Sequence, residues 1–133
     1  MYGMKRPVTL LLTNDPQLED SIARALVQVA GLSYLTRNAS EALQTVRGLG
    51  RNLDFAVIDF EHTTHGMSLV SAISMCREDL PIIVVRRDNE KYFEALAHAS
   101  GAVACLTKPV TATEISAAIK QFCKLEPQRA LVA

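Results

Sequence analysis

Leu53-Asp54-Phe55-Ala56-Val57-Ile58-Asp59 decides the fold. Leu53 to Ile58 is short, rich in large apolar residues and does not alternate apolar with polar. Such a run reads as a strand covered on both faces, as in parallel sheets flanked by helices. It ends on a carboxylate, and open α/β sheets bind ligands at the carboxyl ends of their strands. Two further strand ends carry polar groups. Val8 to Thr13 leads into Asn14-Asp15, and Ala102 to Leu106 leads to Lys108. An acid, an amide or acid, and an amine delivered to one sheet edge point to phosphoryl chemistry.

Around these three strands the chain alternates strand and helix five times. Asp15 caps a helix with Pro16 at its first position. Leu18, Ile22, Leu26 and Val29 line its buried face, and Gly31 stops it. Leu32 to Thr36 is a short strand. Asn38 and Glu41 have the spacing of a capping box for a second helix, which Gly48 and Gly50 end. After Asp59 the loop Glu61-His62-Thr63-Thr64-His65-Gly66 leads to a helix carrying Met67, Val70 and Ile73. Pro81 opens the strand Ile82 to Val85, and Asp88 caps a helix containing Phe93, Leu96 and Ala97. Thr111 and Glu114 form a second capping box before Ile115, Ala118, Ile119 and Phe122. This order predicts a doubly wound, five-stranded parallel sheet of flavodoxin-like type, strand order 2-1-3-4-5, with its switch point between the first and third strands. Residues 1–126 form the domain, and 127–133 a patternless tail or linker start.

Composition narrows the function classes. The chain has 133 residues, 49% hydrophobic and 21% charged, with a formal net charge of zero. That is enough chain for one core, and the charge balance offers nothing to a nucleic acid. Cys76, Cys105 and Cys123 are odd in number and lack CxxC spacing, which fits reduced thiols in a cytoplasmic protein. No apolar run approaches the roughly 18 residues of a membrane span, and Met1 to Arg6 leads straight into a strand rather than a signal peptide.

Taken together, Leu10-Leu11-Leu12-Thr13-Asn14-Asp15-Pro16, the strand ending in Asp59, Asn38-Ala39-Ser40-Glu41-Ala42-Leu43, Pro81-Ile82-Ile83-Val84-Val85, and Gly101-Ala102 leading to Lys108-Pro109 resemble the receiver domain of bacterial response regulators. The resemblance spans roughly Val8 to Lys124. It implies a switch in which Asp59 accepts a phosphoryl group from a histidine kinase or phosphotransfer protein. Lys108 would pair with the phosphoryl oxygens. Mg²⁺ would be held by Asp59, by an acid after the first strand and by the backbone carbonyl of Glu61. Such a module is no enzyme beyond self-catalysed phosphoryl transfer to and from Asp59. It acts on a downstream effector protein or a fused output domain, and the face formed by the fourth helix, fifth strand and fifth helix serves for docking or homodimerisation.

Several positions depart from the family pattern. Its acidic pair falls on Thr13 and Asn14, leaving Asn14 a carbonyl without charge and Asp15 one position late, as helix cap or substitute Mg²⁺ ligand. Fewer anionic ligands weaken Mg²⁺ binding. The hydroxyl residue that follows the phosphoryl group in the family falls on Arg86, whose fork could reach Asp59 or a phosphoryl group, or turn outward. The switch aromatic falls on Cys105, as a buried thiol or a redox sensor. His62 and His65 stand near Asp59 and Glu61, a conceivable transition-metal set. Three functions remain open: an atypical receiver phosphorylated on Asp59, a phosphorylation-independent pseudo-receiver that binds proteins, and a small flavodoxin-like cofactor binder. Thr13-Asn14-Asp15-Pro16-Gln17 has no glycine with which to cradle a phosphate, which counts against the third.

Overall fold

In the computed structural model, residues 6–62, 65–88 and 91–122 are described. Strands β1 (Val8–Leu12), β2 (Leu32–Thr36), β3 (Phe55–Asp59), β4 (Ile82–Arg86) and β5 (Ala104–Thr107) alternate with helices α1 (Pro16–Val27), α2 (Ala39–Leu49), α3 (Gly66–Cys76), α4 (Lys91–Ser100) and α5 (Ala112–Phe122). Every strand pair is parallel, and the order is β2-β1-β3-β4-β5. The expected doubly wound order is therefore the one observed. Cysteine 123 and the expected boundary between residues 126 and 127 lie outside the described residues.

β3 is central because both of its faces are covered. Ala56 and Ile58 pack with Leu10, Leu12, Ile82 and Val84 beneath α2, α3 and α4. Phe55 and Val57 pack with Leu11, Ile83 and Val85 beneath α1 and α5. Each of the larger side chains gains roughly 1.5–3 kcal/mol from burial, which is why β3 reads as an unbroken apolar run. β2 is the opposite case, an edge strand with only Thr36 buried.

The helix ends follow local chemistry with three adjustments. Asp15 Oδ1 accepts the Gln17 N–H at 2.9 Å, a cap worth about 1 kcal/mol. Thr111 and Glu114 complete their box in both directions, at 3.1 and 3.0 Å. Asn38 caps the Glu41 N–H at 2.9 Å, but Glu41 reaches back to the Arg37 N–H, one residue further than a capping box requires. After α1 the left-handed residue is Ala30, with φ 54°, rather than Gly31. Gly31 is needed for space instead, since a Cβ there would lie 2.9 Å from the Pro7 carbonyl oxygen. β5 starts two residues later than the sequence pattern indicates. The N–H groups of Gly101 and Ala102 still bond back to Ala97, so the chain only reaches the sheet at Val103, whose N–H meets the Ile82 carbonyl. The cap assigned to Asp88 falls beside residues 89–90, outside the described residues. No helix among the described residues is long and apolar enough to cross a membrane.

Candidate functional site

Register brings three strand ends together. Leu12 pairs with Ile58, so Thr13 follows beside Asp59, and Asp59 itself pairs with Val85. The Lys108 N–H bonds to the Arg86 carbonyl at 2.8 Å, which sets the lysine at the same edge. The Lys108–Pro109 peptide bond is cis.

Asp59 has no solvent exposure. Its Oδ2 accepts hydrogen bonds from the Thr13 hydroxyl at 2.6 Å and from Lys108 Nζ at 2.8 Å. Its Oδ1 accepts the Glu61 N–H at 2.9 Å. Lys108 also reaches Asp15 Oδ2 at 3.0 Å, so one ammonium bridges two carboxylates. Burial works against the charge on Lys108, but the hydrogen bonds and charges of Asp59 and Asp15 outweigh it and raise the pKa. Burial pushes Asp15 up, yet Lys108 and the N–H groups of Gln17 and Leu18 hold it below the usual carboxylate value.

Asp15 is thus both a helix cap and a pocket carboxylate, through different oxygens. The helix cap expected from the sequence is present, and the other oxygen pairs with Lys108. Asn14 is exposed and Asp15 half-buried. The sequence reading took Thr13 only as a missing acid. Here it is buried, accepts the Asp15 N–H at 2.9 Å and donates to Asp59. Its signal was available as the polar residue ending the β1 apolar run.

Mg²⁺ takes hard oxygen ligands and keeps several waters. Asp15 and Asp59 bring two carboxylates to one point, and Glu61 follows Asp59 with its backbone carbonyl, so the donor set suits Mg²⁺ in kind. The set is nonetheless lean, because Lys108 already neutralises one of the two charges. The Glu61 side chain is turned elsewhere, accepting the Arg87 N–H at 3.0 Å.

Arg86 stacks on an aromatic ring and forms no ion pair with Asp59. Its guanidinium carbon lies 4.1 Å from the centre of the Phe93 ring, and Phe93 meets Phe60 edge-on at 5.4 Å. Cys105 is half-buried and packs against the α2–α3–α4 core. Desolvation, with the Glu94 charge behind it, raises its thiol pKa against the opposing pull of Arg86. That is the setting of an unreactive thiol rather than a redox sensor. His65 is exposed, the His62 side chain lies outside the described residues, and no group of three His, Cys, Asp or Glu among the described residues could hold a metal. A larger cavity, about 890 Å³, lies at the opposite edge beside Leu53, Asp54 and Pro81, away from these groups.

No protein-family model matches the chain, and neither does any curated protein. Solved structures do. A CheY-like response regulator receiver domain protein from Methanospirillum hungatei JF-1 is 21% identical with a TM-score of 0.76, over 94% of this chain and 98% of that one. A response regulator receiver domain protein from Clostridium thermocellum is 20% identical with a TM-score of 0.76, over 96% and 99%. A protein described as pilus assembly-related, from Burkholderia pseudomallei K96243, is 18% identical with a TM-score of 0.74, over 91% and 92%. With the same five parallel strands in the order 2-1-3-4-5, the chain has the fold of the CheY-like response regulator receiver domains.

Proposed function

We propose that the chain is a signal-transduction receiver module that accepts a phosphoryl group on Asp59. The observation that carries this reading is the Lys108-bridged pair, in which a buried strand-end aspartate and a second carboxylate share one ammonium. In the transfer, an Asp59 oxygen attacks the phosphorus of the donor. A P–O bond to Asp59 forms as the bond to the leaving group breaks, and the leaving group departs with the electron pair. Lys108 follows the charge onto the phosphoryl oxygens, and Asp15 keeps the ammonium in place. Mg²⁺ held by Asp15, Asp59 and the Glu61 carbonyl would neutralise phosphoryl charge, and the lean donor set makes that dependence weak. The donor is a histidine kinase or phosphotransfer protein, and the downstream target is an effector protein or a fused output domain.

A second reading, a phosphorylation-independent interaction module, is favoured by a specific observation. Both Asp59 oxygens are engaged and the carboxylate is fully buried, an arrangement suited to a fixed state. Its docking or homodimer face would be that of α4, β5 and α5, near which Tyr92 and Leu96 of α4 and Val103, just before β5, are exposed.

Incubation with acetyl phosphate and Mg²⁺, read by intact mass, separates the two. The first reading expects a phosphoryl adduct on wild type and none on Asp59→Asn. Absence of the adduct on wild type, together with no Mg²⁺ binding by titration, leaves the interaction module.

A further inference from the structure

Arg86 ends β4, directly after the residue that pairs with Asp59. It walls a cavity of about 590 Å³ with Phe60, Glu61, Met67 and Phe93. Stacking on Phe93 occupies the guanidinium face, but a guanidinium carries five N–H donors in its plane. Among the described residues none of those donors meets an acceptor: the side chain's one partner is the Phe93 ring, while the backbone carbonyl takes the Lys108 N–H. The nearby carboxylate of Glu61 is committed to the Arg87 N–H. A half-buried cation thus stands beside the proposed acceptor with its directional bonds unused.

We infer that Arg86 is a second cationic ligand for the phosphoryl group on Asp59, parked on Phe93 until that anion arrives. The inference rests on the phosphoacceptor reading. Adjacent strands are roughly 4.8 Å apart, a gap that an arginine side chain spans. The energetic order also favours transfer. A partly exposed cation–ring stack shifts an equilibrium about threefold, whereas a guanidinium pairing with phosphoryl oxygens shifts it about tenfold or more. Phe93 holds the guanidinium at the edge of the site without competing strongly for it.

The test is titration with beryllofluoride, a phosphoryl stand-in, in the presence of Mg²⁺, followed by the bound ¹⁹F resonances. Arg86→Gln is expected to weaken binding about tenfold. Phe93→Leu removes the competing stack and is expected to tighten binding about threefold. Phe93→Ile also removes the ring and is expected to tighten binding likewise, which keeps the test informative should Phe93→Leu fail to fold. Opposite signs for Arg86→Gln and Phe93→Leu support the inference, because mere loss of packing would weaken binding in both. Weakening in both, or wild-type affinity in Arg86→Gln, overturns it while leaving Asp59 as acceptor. No bound resonance in wild type overturns the acceptor reading and this inference together.

Discussion

Lys108 Nζ sits 2.8 Å from Asp59 Oδ2, and the carboxylate it holds has no solvent exposure. A buried pair of this kind is asymmetric under mutation. Lys108→Met strands the Asp59 charge in the sheet edge without its ammonium partner, and is expected to cost about 3 kcal/mol. Asp59→Asn removes the charge itself and leaves Lys108 with Asp15, so it is expected to cost about 1 kcal/mol. Urea unfolding of the two variants checks the order, and a reversed order would contradict the bridged arrangement.

Asp15 and Lys108 also set the pH limits of stability. Asp15 is held below its ordinary value of 3.8, so its contribution is present above that pH and is lost as pH falls through the lowered folded value. Lys108 is held above its ordinary 10.5. Its contribution is complete below that pH and fades as pH rises through the raised folded value. Wild type is therefore expected to lose stability at both ends, relative to variants. Asp15→Asn flattens the acid limb and Lys108→Met the alkaline limb. Urea midpoints measured across pH test this, and limbs unchanged in the variants would refute it.

Cys105 and Cys76 are expected to differ in reactivity. Desolvation raises the Cys105 thiol, whereas Cys76 is exposed at the end of α3. Near neutral pH, iodoacetamide should modify Cys76 about tenfold faster than Cys105, since the thiolate is the reacting form. Peptide mapping of a time course reads this directly. Faster labelling of Cys105 would reinstate it as a redox-active position.

The fold was legible because its signals are local and mutually consistent. The apolar runs at Val8 and Leu53 and the caps at Asp15 and Thr111 specify the same alternation, although Gly48, expected to help end the second helix, lies inside α2 and only Gly50 caps it. Asp59 and Lys108 were legible for the same reason, as polar residues ending apolar strands. What the sequence did not reveal depends on side-chain direction across elements. Asp15 uses one oxygen for its helix and the other for Lys108, which no spacing rule encodes. Arg86 finds an aromatic partner on α4, set by packing between β4 and the next helix. Thr13 reads as a missing acid against the family pattern, when its hydroxyl bonds Asp59.

That hydroxyl, rather than the Asn14 amide, is the neutral group standing against Asp59. Thr13 Oγ lies 2.6 Å from Asp59 Oδ2, while Asn14 is exposed. Thr13→Asp would place a third carboxylate in the site, beside the two that Lys108 already bridges. Without metal, like-charge repulsion should lower stability by about 1–3 kcal/mol. With Mg²⁺, the added anionic ligand should tighten binding about tenfold and restore the loss. Asn14→Asp should change both quantities much less. Thermal unfolding with and without Mg²⁺ compares the three proteins. A Thr13→Asp variant whose midpoint ignores Mg²⁺ would mean that the missing charge at this position is not what limits the site.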